Sequence, residues 1–176
     1  MGDIMTKIIW MSDPHFQAKG TIDGLDPRKR LAAAIDHANA HHDDADFAVM
    51  SGDLVGDDVA GDYAAIAGYL ARSAMPMYLI MGNNDERTAF RHQLTLPNDV
   101  MADFVQYTLN SEVGLFVFLD THKLGSAVGE LCDARMSWLD RVLTENAERD
   151  VYASPTARAG LAATGCAHVG KCGCVS

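Results

Sequence analysis

Phe47-Ala48-Val49-Met50-Ser51-Gly52-Asp53 decides the fold of this chain. Phe47–Ser51 is a short, nearly all-apolar run closed by a Gly-Asp break, which reads as a buried strand rather than a helix. The same pattern stands on either side of it. Lys7–Met11 is an apolar strand stopped at Ser12-Asp13-Pro14-His15, where proline cannot continue a ladder. Met77–Met81 is a third, ending at Gly82-Asn83-Asn84-Asp85.

Helical patterns fill the gaps. Asp26 is an N-cap followed by proline at the first helical position, and Leu31, Ala34, Ile35 and Ala38 line one face of a helix from Pro27 to His41. Asp62–Ser73 carries Tyr63, Ile66, Ala67 and Leu70 at helical spacing, and Glu86–Leu94 is a third helix. Farther on, Val105–Leu109 and Leu115–Leu119 form a hairpin-like pair. Asp133–Ala147 places Met136, Leu139, Val142 and Leu143 on one side of a late helix. Strands alternating with helices in this way predict a layered α/β architecture.

Composition sets the outer limits. With 176 residues, 48% hydrophobic and 22% charged, the chain has the balance of an ordinary globular domain. A chain of this size removes roughly two-thirds of its unfolded surface from water. Lys plus Arg is 14 against Asp plus Glu 24, a net charge of -10, which argues against a grip on nucleic-acid polymers through counterion release. The longest apolar runs, around Met75–Met81 and Val113–Leu119, fall far short of the ~20 residues of a membrane span. Met1–Met11 lacks the charged and long apolar regions of a signal peptide. The expectation is a cytoplasmic protein without a membrane partner.

Chemistry concentrates at the three strand ends. Asp13 and His15 follow the first strand, Asp53 the second with Asp57 and Asp58 close behind, and Asn83, Asn84 and Asp85 the third. Ligands in α/β sheets collect outside the carboxyl ends of strands, where side chains from several elements converge. Asp13 and His15, two apart on a segment expected to be extended, offer an oxygen and an imidazole nitrogen to one cation. Asp53 can bridge two cations about 3.5–4 Å apart, and Asn83 adds a neutral amide oxygen. Gly52 and Gly82 permit the tight turns that bring these groups together.

Asp13-Pro14-His15, Gly52-Asp53 and Gly82-Asn83-Asn84-Asp85, in this order, resemble the calcineurin-like metallophosphoesterases, whose motifs run Asp-x-His, Gly-Asp and Gly-Asn-His-Asp. Leu119-Asp120-Thr121, Gly125, Gly129 and Arg135-Met136-Ser137-Trp138-Leu139 extend the resemblance to bacterial class III cyclic-nucleotide and glycerophosphodiester phosphodiesterases, over about Lys7 to Tyr152. The resemblance implies a metallophosphoesterase-type α/β sandwich. It also implies two divalent ions drawn from manganese, iron or zinc, with Asp13 and His15 on the first, Asn83 on the second and Asp53 bridging. The substrate it implies is a small phosphate ester, foremost a cyclic nucleotide or another small phosphodiester. The reaction it implies is in-line attack on phosphorus by metal-bound hydroxide. Asp53 and Asn84 are the candidate catalytic residues.

Two departures shape the expectation. Asn84 stands where the family has histidine, and an amide donates a hydrogen bond without delivering a proton. Loss of a general acid costs on the order of 10²–10⁴ in rate, unless His92 or His122 substitutes. The family's later His-His-Pro-Pro-like and Gly-His-x-His motifs are also missing. The matching part, residues 1–152, therefore reads as a sandwich truncated after its N-terminal half, with exposed strand surface that predicts homo-oligomers. The alternative is a catalytically silent remnant or a metal-binding fragment without turnover.

From Ala153 to Ser176 there is neither an acidic nor an aromatic residue, and this stretch reads as an unstructured Ala/Gly/Cys-rich tail with the look of an out-of-frame ending. Its Cys166, His168, Cys172 and Cys174 are four zinc-type donors at spacings unlike a familiar finger.

Overall fold

The computed structural model describes residues 5–56, 59–155 and 167–169. The chain divides into two compact units, Lys7–Leu96 and a second that takes in Pro97 onward together with the residues before Lys7.

The first unit is built on a parallel sheet of β1 (Ile8–Ser12), β2 (Phe47–Ser51) and β3 (Met77–Ile80), in that order. Trp10 pairs with Val49, and Val49 with Tyr78, so β2 is central and its first four residues are buried. Helix α1 (Pro27–His41) begins where the sequence predicts: Asp26 accepts from the Arg28 backbone N at 3.0 Å, and Pro27 opens the first turn. Its buried face is Pro27, Leu31, Ile35 and Ala38, whereas Ala34 points to solvent. Ala38 joins Ala48 and Met75 in one apolar cluster, with Ile9, Met11 and Met77 packed against it. Helix α2 (Val59–Leu70) buries Tyr63, Ile66 and Leu70, and the Tyr63 ring meets Phe90 of α3 (Arg87–Gln93) edge-on at 5.7 Å.

The second unit holds β4 (Tyr107–Ser111), β5 (Gly114–Leu119), β6 (Val151–Pro155) and β7 (Ala167–Val169) in that order. β4 and β5 form the expected antiparallel hairpin, and β6 runs parallel to β5. On one face of the sheet Leu115, Val117, Leu119 and Val151 pack with Val142 of α4 (Asp133–Glu145), flanked by Trp138, Leu139 and Leu143.

Two further expectations need correction. Met136 is 47% exposed, and the buried position beside it belongs to Arg135 at 4%. Arg135 Nη1 donates to the carbonyls of Asp120 at 2.7 Å and His122 at 3.1 Å, so polar partners rather than apolar periodicity set that end of the helix. The ordered chain also continues past the compositional break at Tyr152: Ala153, Ser154 and Pro155 pair with Val117, Phe118 and Leu119. Among the described residues β6 runs to Pro155. β7 pairs antiparallel with β6, whereas Cys166, Cys172, Cys174, Asp57 and Asp58 lie outside the described residues.

Candidate metal centre

The hydrogen-bond ladder between β1 and β2 does not stop where the strands do. Asp13 N donates to Ser51 O at 3.1 Å, His15 N to Asp53 O at 3.0 Å, and Phe16 N to Leu54 O at 2.9 Å. The two post-strand segments thus travel side by side through Phe16 and Val55. Gly52 N donates to Ile80 O at 2.8 Å and ties the same turn to β3.

This pairing is reached through unusual backbone. Asp13, His15 and Asp53 take φ of 52°, 41° and 44°, where the expectation for residues 13–15 is an extended segment. Left-handed backbone is uncommon outside glycine, although Asn, Asp and His adopt it more often than other residues, and it costs about 1–3 kcal/mol where it is strained. Among the described residues the positive-φ set outside glycine is these three and Asp23. Strain gathered on candidate ligands signals a local structure held for geometry rather than stability.

The result is a compact donor group. One ligand atom each from Asp13, His15 and Asp53 lie within 4.8 Å of one another, and His15 Nε2 is 3.7 Å from Asp53 Oδ2. Burial is graded across it: Asp53 is 7% exposed, His15 half-buried and Asp13 open to solvent. Two carboxylates and one imidazole form a mixed O/N set suited to divalent transition ions.

The loop after β3 completes the surroundings. Asn84 donates from its backbone N to Asp53 Oδ1 and from Nδ2 to Asp53 Oδ2, both at 2.8 Å. A Cβ on Gly82 would lie 2.0 Å from Asp53 N, so glycine is required there for the close approach. Asn83, between these two, is half-buried. Asp85, whose part sequence reading misses, is the anchor of the loop: its carboxylate accepts from Leu54 N, Gly82 N and Tyr63 Oη at 3.0, 2.7 and 2.7 Å. Burial pushes the Asp85 carboxyl upward against these bonds, and burial together with that carboxylate pushes the Tyr63 phenol upward. The acidic residue that closes the Gly82-Asn83-Asn84-Asp85 motif is the signal that could have revealed it. Of the two histidines considered as substitute acids, His92 is exposed on α3, and His122 is buried in the second unit, where its N donates to Asp120 Oδ1.

An α/β framework with Asp-x-His and Gly-Asp donors gathered at the carboxyl ends of parallel strands defines a metal-dependent hydrolase of the phosphoesterase class. The chain belongs to the calcineurin-like phosphoesterase family, whose model it matches over residues 6–152. It is 39% identical over 147 residues to a Rhodopseudomonas palustris protein named probable cyclic nucleotide phosphodiesterase, covering 79% of this chain and 52% of that one. It is 25% identical over 150 residues to the 3′,5′-cyclic adenosine monophosphate phosphodiesterase of Escherichia coli, covering 84% and 54%. The chain thus spans about half the length of these relatives. In fold it matches a dimetal phosphatase from Danio rerio with a TM-score of 0.65 at 13% identity, over 87% of this chain and 70% of that one. No helix among the described residues is long and apolar enough to cross a membrane.

Proposed function

We propose that the chain carries the metal-binding part of a phosphodiesterase that hydrolyses a cyclic nucleotide or another small phosphodiester with two divalent ions. The observation that carries this reading is the Asp13, His15 and Asp53 donor group on strained backbone. Asp13 and His15 would hold one ion, Asn83 the other, and Asp53 both. When bound, the ions supply Lewis-acid activation of water and neutralise charge at phosphorus. The names of the relatives support a diester substrate; the imidazole in the donor set suits iron or zinc, and its carboxylates also suit manganese.

The protein's own residues do the rest. Asn84 and Gly82 fix the Asp53 carboxylate, Asp85 pins the turn that carries both, and the exposed flank of Asp13 and His15 admits the ester. With Asn84 engaged on Asp53, its amide orients a ligand and does not protonate a leaving group, which favours substrates with good leaving groups. The same observation supports a second reading, a metal-binding fragment without turnover.

Hydrolysis of bis(p-nitrophenyl) phosphate with added manganese, measured together with bound metal for wild type and Asp53→Ala, tests both. Metal and turnover lost together in the variant support the phosphodiesterase. Metal binding without turnover selects the silent reading, and wild type that binds no metal removes both.

A further inference from the structure

We propose that Arg28, together with Asp62, is a positioning residue for the metal centre: it clamps the segment that follows His15 and so holds the His15 imidazole where it can bind. This rests on the reading of His15 as a metal ligand and adds to it the groups that keep that ligand in place. His15 takes a φ of 41°, and backbone held there persists only where the surrounding structure fixes it.

Three elements share the holding. The segment after β2 takes the first part: His15 N and Phe16 N donate to Asp53 O and Leu54 O, and Gly56 N donates back to Phe16 O at 2.9 Å. Past that point α2 and α1 take over. Ala18 N donates to Asp62 Oδ1, in the first turn of α2, at 2.6 Å. Arg28, in the first turn of α1, donates from Nη1 to Ala18 O at 2.6 Å and from Nη2 to Gly20 O at 3.0 Å. Its Nε donates to Asp26 Oδ1 at 2.7 Å, so each of the three guanidinium nitrogens has an oxygen. The same Asp26 oxygen accepts from Arg28 N, and the helix cap and the guanidinium therefore fix one another.

Two features set this clamp apart from an ordinary surface contact. Asp62 is 2% exposed, and a carboxylate withdrawn from water is costly, yet the hydrogen bond it makes here is to a loop N–H. The Arg28 bonds go to backbone carbonyls, so they fix the path of the chain on both sides of Lys19. A planar fork reaches two carbonyls and a carboxylate together, which a single ammonium does not. With Ala18 and Gly20 released, the His15 backbone is free to relax, and its Nε2 leaves the position 3.7 Å from Asp53 Oδ2.

The test uses the full chain as wild type, Arg28→Met and Arg28→Lys, with Arg72→Met as a control whose arginine binds Asp36 of α1 from the turn between α2 and β3. Arg28→Met keeps the stem and removes the donors. It is expected to bind manganese about 10-fold more weakly, the low end of the loss typical of a ligand's supporting group. Arg28→Lys should fall between it and wild type, and Arg72→Met should match wild type. In histidine-labelled, metal-free protein the His15 ring resonance, assigned by its loss in His15→Gln, should shift in Arg28→Met and stay in place in Arg72→Met. A variant that is only less stable keeps the native resonance. An unmoved His15 resonance in Arg28→Met, or a manganese affinity equal to that of wild type, would overturn the clamp. Wild type that takes up no manganese would instead remove the metal reading, and the resonance of the metal-free proteins would still decide whether Arg28 holds His15.

Discussion

Asn84 closes on Asp53 with both of its nitrogens, the backbone N donating to Oδ1 and the amide Nδ2 to Oδ2, each at 2.8 Å. One exposed residue thereby fixes both oxygens of the most buried member of the donor group. A carboxylate whose rotation is held this way loses less freedom when it binds a cation, which is how outer groups raise the affinity of a metal site.

Asn84→Ala keeps the backbone bond and removes the amide one. Manganese affinity is expected to fall about 10-fold, at the low end of the 10–100-fold typical of such supporting groups. Stability should change by less than about 1 kcal/mol because the side chain is exposed. Calorimetric titration of both proteins with manganese measures it, and an unchanged affinity would show that Oδ2 needs no holding.

Gly82→Ala attacks the same carboxylate from the other side. The added Cβ would sit 2.0 Å from Asp53 N and 2.1 Å from its Oδ1, against backbone that cannot swing away. Forced overpacking of this kind costs about 1–3 kcal/mol. The midpoint of urea unfolding should drop accordingly, and metal uptake should drop with it. A variant with the wild-type midpoint would mean that the turn yields freely.

How much of this was legible in the sequence depends on the range of the forces involved. Pro27–His41 and Phe47–Ser51 have the boundaries expected because their signals are local: the Asp26-Pro27 start, and an apolar run cut by Gly52. The three strand-end motifs and the family follow from the same short patterns. The left-handed backbone at Asp13, His15 and Asp53 is not local. It arises from hydrogen bonds between segments about forty residues apart, such as His15 N to Asp53 O, and no window of sequence contains both partners. Asn84 illustrates another limit. The sequence shows an amide that delivers no proton, and only the contacts reveal that it donates to both Asp53 oxygens. Met136 and Arg135 illustrate a third, since apolar periodicity favours the methionine and the carbonyls of Asp120 and His122 favour the arginine.

That exchange yields a prediction of its own. Arg135→Met keeps most of the buried stem and removes the donors to both carbonyls and the cation 3.5 Å from Asp120 Oδ1. Asp120 is fully buried, so the change leaves a carboxylate without its positive neighbour. Breaking a buried pair from one side costs about 3–5 kcal/mol. Urea unfolding of wild type and variant measures the loss, and a cost under 1 kcal/mol would mean that the backbone donors from Val105 and His122 are sufficient for Asp120.

Glu86 supplies the pH dependence. It caps α3 through its side chain, with Oε1 accepting from Thr88 N at 2.8 Å and Oε2 from Ala89 N at 2.7 Å. Partial burial opposes ionisation of this carboxyl, but the two backbone donors, together with the Thr88 hydroxyl and the nearby Arg87, outweigh it and hold the group below its ordinary value of 4.5. A group with a depressed folded value stabilises the protein above the unfolded value, and that stabilisation disappears as pH falls through the folded one. Glu86→Ala is therefore expected to cost about 0.5–1 kcal/mol at pH 7, the lower part of the range for a lost cap because the residue is exposed. The cost should shrink toward that of a neutral side chain as pH falls below 4.5 and through the lowered folded value. Paired urea titrations of wild type and variant across this range test the sign directly: a difference that grows on acidification would mean that the carboxylate does not cap the helix in solution.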